Sequence, residues 1–130
     1  MINVLVIDDN QTVTEFVKAS LEELGNYQVM TASSGKDGVA RAGYFGPHII
    51  FLDFMLPDME GPEAAALIRK IPGSSNVPIV FLTGILTQEE LHGPEGVIRG
   101  EIFVAKPPAV WLVAPLVRAW RATSKCLAPR

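Results

Sequence analysis

Five polar side chains stand at the ends of short apolar runs in this sequence, where the strands of a sheet would end: Asp8, Asp9, Asp53, Thr83 and Lys106. The carboxyl ends of parallel strands meet at one edge of a sheet, and ligands of open α/β sheets bind just outside that edge. We therefore expect the three carboxylates, the hydroxyl and the ammonium group to lie close together.

Such a group of side chains suits a magnesium ion and a phosphoryl group. Neighbouring carboxylates repel one another unless a cation lies among them, and Mg²⁺ prefers carboxylate, water and phosphate oxygens. Ammonium and hydroxyl groups can bind phosphoryl oxygens, and a carboxylate can act as a nucleophile and become an acyl phosphate. The pattern therefore predicts that Asp53 accepts a phosphoryl group beside a Mg²⁺ site.

Each of these residues has a simpler explanation when it is taken alone. Asp8 and Asp9 are typical residues of a helix N-cap, and Asp53 could be a turn acid. Thr83 could simply end a strand, and Lys106 would usually be a solvated surface lysine. The presence of all five in this order makes those explanations weaker.

The elements that must position these residues are strands that alternate with helices. Apolar runs predict strands at 2–7, 27–32, 48–53, 77–83 and 102–106. Apolar residues at spacings of three and four predict helices between them, among them 34–44 and a last helix at about 109–122. This alternation is typical of βαβ units and predicts a parallel sheet covered on both faces, here a three-layer α/β sandwich of five strands.

The helices carry local signals for their ends and their buried faces. The buried stripes are predicted to be Val13, Phe16, Val17, Leu21 and Leu24 in the first helix and Ala65, Leu67, Ile68 and Ile71 in the third. Thr12 with Glu15 forms a capping-box pattern, and Pro62 suits the first helical position. Gly38 and Gly43 weaken the second helix, because glycine is a poor helix former.

Composition excludes several classes of protein. The chain has 130 residues, 48% of them hydrophobic, which suits one globular domain. A net charge of −3 gives no electrostatic basis for binding nucleic acid or a membrane surface. The sequence contains no apolar run as long as a membrane span, no signal-peptide pattern, and Cys126 as its single cysteine. We expect a cytoplasmic protein.

The polar residues at the strand ends resemble those of the receiver domain of two-component response regulators. The resemblance rests on DD at 8–9, D at 53, T at 83 and KP at 106–107. The segment DFMLPDMEG (53–61) is similar to the family's D-x-x-M/L-P-x-x-x-G. The resemblance implies a receiver domain at residues 1–122, a short tail at 123–130, and a flavodoxin-like (βα)5 fold with strand order 2-1-3-4-5.

The resemblance implies a role for each residue of the acidic group. Asp53 would take a phosphoryl group from a phosphohistidine on a histidine kinase or a phosphotransfer protein. Asp9 would bind Mg²⁺ directly and Asp8 mostly through water, with the Met55 main-chain carbonyl as another ligand. Catalysis would consist mainly of positioning and charge neutralisation. The domain would therefore be a signalling module that assists its own phosphorylation and dephosphorylation, and not an enzyme.

The resemblance also implies a conformational switch. Lys106 would pair with Asp53 before the transfer and with a phosphoryl oxygen afterwards, and the bond between Lys106 and Pro107 is usually cis in the family. Thr83 would move towards the phosphoryl group, and Phe103 would turn inward. This movement would change a face formed by the fourth helix, the fifth strand and the fifth helix, through which a downstream protein or a second copy of the chain would bind.

Two features depart from the family's pattern on that face. Pro94 and the glycines around it interrupt the expected fourth helix. The sequence therefore predicts one or two helical turns from Thr87, followed by an irregular loop. Pro115 lies inside the last predicted helix, which should kink there or begin late.

Three other functions fit parts of the pattern. A phosphatase or phosphotransferase with an aspartate nucleophile usually has a D-x-D pair, but Met55 stands two residues after Asp53. A flavin-binding module of the same fold needs a Ser/Thr/Gly-rich loop after the first strand, where this chain has acids. The remaining alternative is a receiver-like interaction module that no longer depends on phosphorylation. The chain is either a single-domain receiver or part of a longer regulator or hybrid kinase.

Overall fold

The structure is a computed structural model that describes residues 1–83, 95–98 and 101–105, with the side chains of residues 1–82. Strands and helices alternate along the first two thirds of the chain, as the sequence predicts. The elements are β1 (Ile2–Ile7), α1 (Gln11–Glu22), β2 (Tyr27–Ala32), α2 (Gly35–Phe45), β3 (Ile49–Asp53), α3 (Gly61–Arg69), β4 (Ile79–Thr83), β5 (Glu95–Ile98) and β6 (Glu101–Ala105).

The strands form one sheet in the order β2-β1-β3-β4-β6-β5. All neighbours from β2 to β6 run parallel, which confirms the predicted parallel sheet and its order, with β6 as the predicted fifth strand. The sheet differs from the predicted five strands by one additional strand, β5, which pairs antiparallel with β6. The irregular loop predicted for this segment is therefore wrong at residues 95–98. Val97 and Ile98 are β-branched and favour an extended backbone.

Two apolar layers cover the two faces of the sheet. The strand β1 alternates between them: Val4 and Val6 face α1, whereas Leu5 and Ile7 face α2 and α3. The helices contribute Val13, Val17 and Leu21 to the first layer and Ala42, Ala64, Ala65 and Ile68 to the second. Because helices cover both faces, β3 is buried along its whole length and β1 from Val4 to Ile7, and this rigid centre fixes the positions of the strand ends. The three-layer sandwich is confirmed.

The helix α1 begins two residues earlier than the predicted capping box implies, at Gln11. The Asn10 side chain is the N-cap, and its Oδ1 accepts a hydrogen bond from the Thr12 main-chain N–H at 3.0 Å. The predicted capping box of Thr12 and Glu15 is therefore wrong. The helix also ends at Glu22, so Leu24 lies beyond it and is 56% exposed instead of joining the buried stripe.

The helix α3 begins at Gly61, so Pro62 is its second residue and lies one position later than predicted, still within the first turn. Ala65 and Ile68 are buried, but Leu67 is 39% exposed, and its predicted place in the stripe is wrong. Ala64 is buried in place of Leu67. Successive residues of a helix are turned by about 100°, so Leu67 lies beside the face that buries Ala64, Ala65 and Ile68 and not within it.

The amino edge of the sheet, opposite the strand ends that carry the acids, is closed by Asn3 and His48. The Asn3 N–H donates to His48 Nδ1 at 2.9 Å, and the His48 N–H donates to the Asn3 carbonyl at 2.8 Å. This reciprocal pair joins the start of β1 to the residue that precedes β3, and so keeps the two strands in register.

Some predictions concern parts of the chain outside the described residues. These are the helical turns from Thr87, the helix at 109–122 with its kink at Pro115, the Lys106–Pro107 bond and the tail at 123–130. In the part of the chain that the structure describes, none of the helices combines the length and the apolar character that crossing a bilayer requires.

Candidate functional site

The structure brings together the three aspartates that follow β1 and end β3. These strands are neighbours, and Ile7 pairs with Leu52 in their register. Asp8 and Asp9 follow Ile7, and Asp53 follows Leu52. The three acids therefore meet at the carboxyl edge of the sheet. One carboxylate oxygen from each lies within 4.8 Å of those of the other two.

Two of these acids are buried although their side chains are polar. Asp8 is 1% exposed and Asp53 is 4% exposed, whereas Asp9 is open to solvent. Asp8 Oδ1 accepts a hydrogen bond from the Asn10 N–H at 2.9 Å, and Asp53 Oδ1 accepts one from the Met55 N–H at 3.3 Å. Burial of a carboxylate is costly unless it is paired or binds a metal, so this edge is built to hold charge.

The donor set fits a magnesium ion. Opposite ligands around Mg²⁺ are separated by about 4.2 Å, twice the usual Mg–O distance of about 2.1 Å. The oxygens of the three aspartates, within 4.8 Å of one another, can therefore surround one ion after small movements or with water between them. Carboxylate and carbonyl oxygens with water are the ligands that Mg²⁺ prefers.

The loop between β3 and α3 (residues 54–60) folds back on itself next to Asp53. Met55 and Glu60 form an isolated antiparallel bridge, closed by hydrogen bonds from Leu56 N–H to the Met59 carbonyl at 3.1 Å and from Gly61 N–H to the Phe54 carbonyl at 2.6 Å. Neither bond uses the Met55 carbonyl. This carbonyl, two residues after Asp53, takes no part in the two bonds of the bridge.

Gly61 permits a close contact between this loop and the end of β3. A Cβ at Gly61 would lie 2.5 Å from the Asp53 carbonyl oxygen and 2.9 Å from the Phe54 Cα. Both neighbours are main-chain atoms, which cannot rotate away as a side chain could. The glycine of the sequence motif therefore has a physical reason in the backbone geometry at the end of β3.

The remaining predicted site residues lie on β4 and β6 or beyond them. Thr83 ends β4, one residue past Leu82, which pairs with Asp53 in the register of β3 and β4. Phe103 lies in β6 and pairs with Phe81. The side chains of Thr83 and Phe103, and all of Lys106 and Pro107, lie outside the described part of the chain.

One acid near the site was not singled out from the sequence. Asp58, in the loop of residues 54–60, accepts hydrogen bonds from the Gly35 N–H to Oδ1 at 2.8 Å and from the Lys36 N–H to Oδ2 at 2.9 Å. These bonds, that from Lys36 first, lower the pKa of the Asp58 carboxyl below its ordinary value. The sequence holds no local signal for this contact, because its partners lie on another helix.

Comparison with known proteins gives a family match over most of the chain. The family described as response regulator receiver domain matches residues 4–107. PilG of Pseudomonas aeruginosa is 33% identical over 82 residues, which cover 63% of this chain and 60% of PilG. The alkaline phosphatase synthesis transcriptional regulatory protein PhoP of Bacillus subtilis is 32% identical over 127 residues, which cover 97% of this chain and 51% of PhoP. The matches thus span less than two thirds of either relative.

Solved structures share the fold. A CheY-like response regulator receiver domain protein from Methanospirillum hungatei superposes with a TM-score of 0.78 at 20% identity, covering 98% of this chain and 99% of that one. The chemotaxis protein CheY4 of Vibrio cholerae gives a TM-score of 0.76 at 23% identity, covering 92% and 98%. These similarities establish the flavodoxin-like arrangement described above.

Proposed function

The chain belongs to the response regulator receiver family, and from that premise we propose that it receives a phosphoryl group on Asp53 in a two-component phosphorelay. The donor is a phosphohistidine on a histidine kinase or a phosphotransfer protein. The observation that carries the proposal is the meeting of two buried aspartates and one exposed aspartate at the carboxyl edge of the sheet.

The transfer is a displacement at phosphorus. A carboxylate oxygen of Asp53 forms the new P–O bond while the P–N bond to the donor histidine breaks, and the imidazole leaves with the bonding electron pair. The product is an acyl phosphate on Asp53. The Met55 N–H, which donates to Asp53 Oδ1 at 3.3 Å, restricts the rotation of the carboxylate and so favours one direction of attack.

Asp8, Asp9 and the Met55 main-chain carbonyl, together with Asp53, would hold Mg²⁺. The ion, when bound, neutralises charge on the phosphoryl oxygens. The burial of Asp8 fixes its carboxylate in place, and the exposure of Asp9 leaves that side of the site open to a donor protein. The chain's own contribution is thus to hold oxygens in position and not to exchange protons.

The signal would leave the site through β4 and β6. Thr83 would donate its hydroxyl to a phosphoryl oxygen, Lys106 would pair with another, and Phe103 would turn inward as Thr83 moves. The pairing of β4 with β6 gives this movement a direct path. It would change the face formed by β6 and the predicted fourth and fifth helices, where a downstream protein or a second copy binds.

The test is phosphorylation by small donors. Acetyl phosphate and phosphoramidate, whose P–N bond resembles that of phosphohistidine, are added with Mg²⁺, and the intact mass is measured. We expect the wild type to gain one phosphoryl group, Asp53→Asn to gain none, and removal of Mg²⁺ by a chelator to prevent the gain. Asp37→Asn, which changes an exposed aspartate on α2, is the matched control and should gain one. A wild type that gains none from either donor would support the passive interaction module instead.

A further inference from the structure

The loop of residues 54–60 is tied to the start of α2 by one side chain. Both carboxylate oxygens of Asp58 accept main-chain hydrogen bonds there, from Gly35 at 2.8 Å and from Lys36 at 2.9 Å. Ser34 accepts a hydrogen bond from a different donor of the helix start, the Asp37 N–H at 3.1 Å, whereas Asp58 binds two of the remaining free N–H groups of the first turn. The two bonds of Asp58 therefore join the loop to the helix start, which the Ser34 bond does not do.

A second contact fixes the loop at the same residue of α2. A Cβ at Gly35 would lie 2.4 Å from Met59 Cγ and 2.6 Å from its Sδ. The Met59 side chain thus packs directly on the Gly35 backbone while the neighbouring Asp58 binds its N–H. Polar and apolar contacts from consecutive residues hold this corner of the loop against α2.

The tie is connected to the metal site through the bridge in the loop. Met59 accepts the hydrogen bond from the Leu56 N–H, and Glu60 bridges Met55. A displacement at Asp58 would therefore pass through this small hydrogen-bonded turn to the Met55 carbonyl. Mg²⁺ demands near-ideal octahedral geometry, so a displaced ligand weakens its binding.

We propose that Asp58 is a positioning residue for the Mg²⁺ site: by binding the main chain of Gly35 and Lys36, it holds the loop so that the Met55 carbonyl remains at the ion. This inference rests on the proposed function, because it assumes that Mg²⁺ binds among the three aspartates. Asp58 itself does not touch the ion or the phosphoryl group.

Three variants test the proposal by titration calorimetry with Mg²⁺ and with Ca²⁺. Asp58→Asn keeps the size of the side chain but loses the carboxylate that receives both bonds. Asp37→Asn removes the same charge from the same helix end without a bond to the loop, and Ser34→Ala removes the cap of α2 while the tie remains. Asp58 and Asp37 are exposed and Ser34 is half-buried, so we expect all three variants to fold, as circular dichroism would show.

We expect Asp58→Asn to raise the Mg²⁺ dissociation constant about 10-fold, at the low end of the effect of removing groups that orient metal ligands. Ca²⁺ tolerates irregular coordination, so its dissociation constant should rise clearly less. The two control variants should bind Mg²⁺ within about 2-fold of the wild type, because neither moves the loop.

Three results would overturn the proposal. If Asp58→Asn weakened Mg²⁺ and Ca²⁺ binding equally, the effect would be one of charge alone. If Ser34→Ala lost as much Mg²⁺ affinity as Asp58→Asn, the cause would be a general weakening of α2. If Asp58→Asn bound Mg²⁺ as tightly as the wild type, the contact of Asp58 with α2 would have no role in the metal site. A wild type that binds no Mg²⁺ would refute the proposed function, and this inference with it. That failure is distinct, since it appears before any substitution is made.

Discussion

The same substitution at two glycines of α2 should change stability in opposite directions. Gly38 is buried against β1, and a Cβ there would lie 2.5 Å from Ile7 Cδ1, 2.8 Å from its Cγ1 and 2.9 Å from its Cγ2. Ile7 is fully buried, so a movement away from the new Cβ would displace its packed neighbours. Gly43 is exposed, and among the described residues no atom lies within 4 Å of a Cβ built there.

The magnitude follows from two opposing effects. Alanine stabilises a helix interior by about 0.5–1 kcal/mol relative to glycine, and Gly43→Ala should gain this amount. Gly38→Ala should gain it too but also overpack the core, at a cost of about 1–3 kcal/mol. We therefore expect Gly38→Ala to be less stable than Gly43→Ala by about 1–3 kcal/mol, which is the cost of overpacking alone.

Urea unfolding of the wild type and both variants measures this difference. The dependence of the unfolding free energy on urea should stay the same in all three, so that the midpoints report stability directly. Because Ile7 precedes Asp8, Gly38→Ala should also weaken Mg²⁺ binding, whereas Gly43→Ala should not. If both variants gained the same stability, the close packing of α2 on Ile7 described here would be refuted.

Two further predictions concern Gly61, at the start of α3, and Asp58, in the loop of residues 54–60. Gly61→Ala should lower the unfolding free energy by at least about 2 kcal/mol, because the new Cβ would meet main-chain atoms at the end of β3 that cannot move aside. Urea unfolding measures this change. A variant as stable as the wild type would contradict the close approach of 2.5 Å to the Asp53 carbonyl oxygen. The pKa of Asp58 is lowered in the folded state, from an ordinary value of 3.8, by the Lys36 and Gly35 N–H groups. Its contribution to stability is therefore present above that value and is lost as the pH falls through the lowered folded pKa. The difference in unfolding free energy between wild type and Asp58→Asn should accordingly be constant near neutral pH and shrink in acid; a difference that did not change with pH would show that the carboxylate is not the group that holds the loop.

The meeting of Asp8, Asp9 and Asp53 could be predicted from the sequence because it depends on few facts. The apolar runs mark the strands, the alternation with helices makes the sheet parallel, and the residues that follow the strands then share one edge. Neither side-chain conformations nor helix ends enter that argument. Errors at the ends of single elements therefore left the prediction of this edge intact.

Features that depend on competition between nearby groups could not be predicted in this way. Thr12 with Glu15 matches a capping box, but Asn10 is also a residue type favoured at an N-cap, and the folded chain uses Asn10. Leu67 is an apolar residue of a type that is usually buried, but it lies outside the stripe of α3 that faces the sheet. In both cases local preference allows more than one answer, and tertiary packing chooses among them.

Contacts between residues far apart in the chain also could not be predicted from the sequence. Asp58 follows a proline, which by itself indicates only a turn, and its partner Gly35 lies 23 residues away. Helix propensity alone marks Gly38 as an unfavourable residue, although its lack of a side chain is what lets α2 approach Ile7. A single sequence shows such residues only as exceptions to propensity, without showing what they contact.

The pairing of Asn3 with His48 supplies an internal reference for spectroscopy. Because the ring Nδ1 accepts the Asn3 N–H, the neutral imidazole carries its proton on Nε2 and is held as a single tautomer. Asn3 and Asp8 are five residues apart on one extended strand, so the ring lies about 16 Å or more from the acids. The chemical shifts of the His48 ring nitrogens should not change when an ion or a phosphoryl group is added at the carboxyl edge of the sheet. They should change in any variant that destabilises the whole sheet.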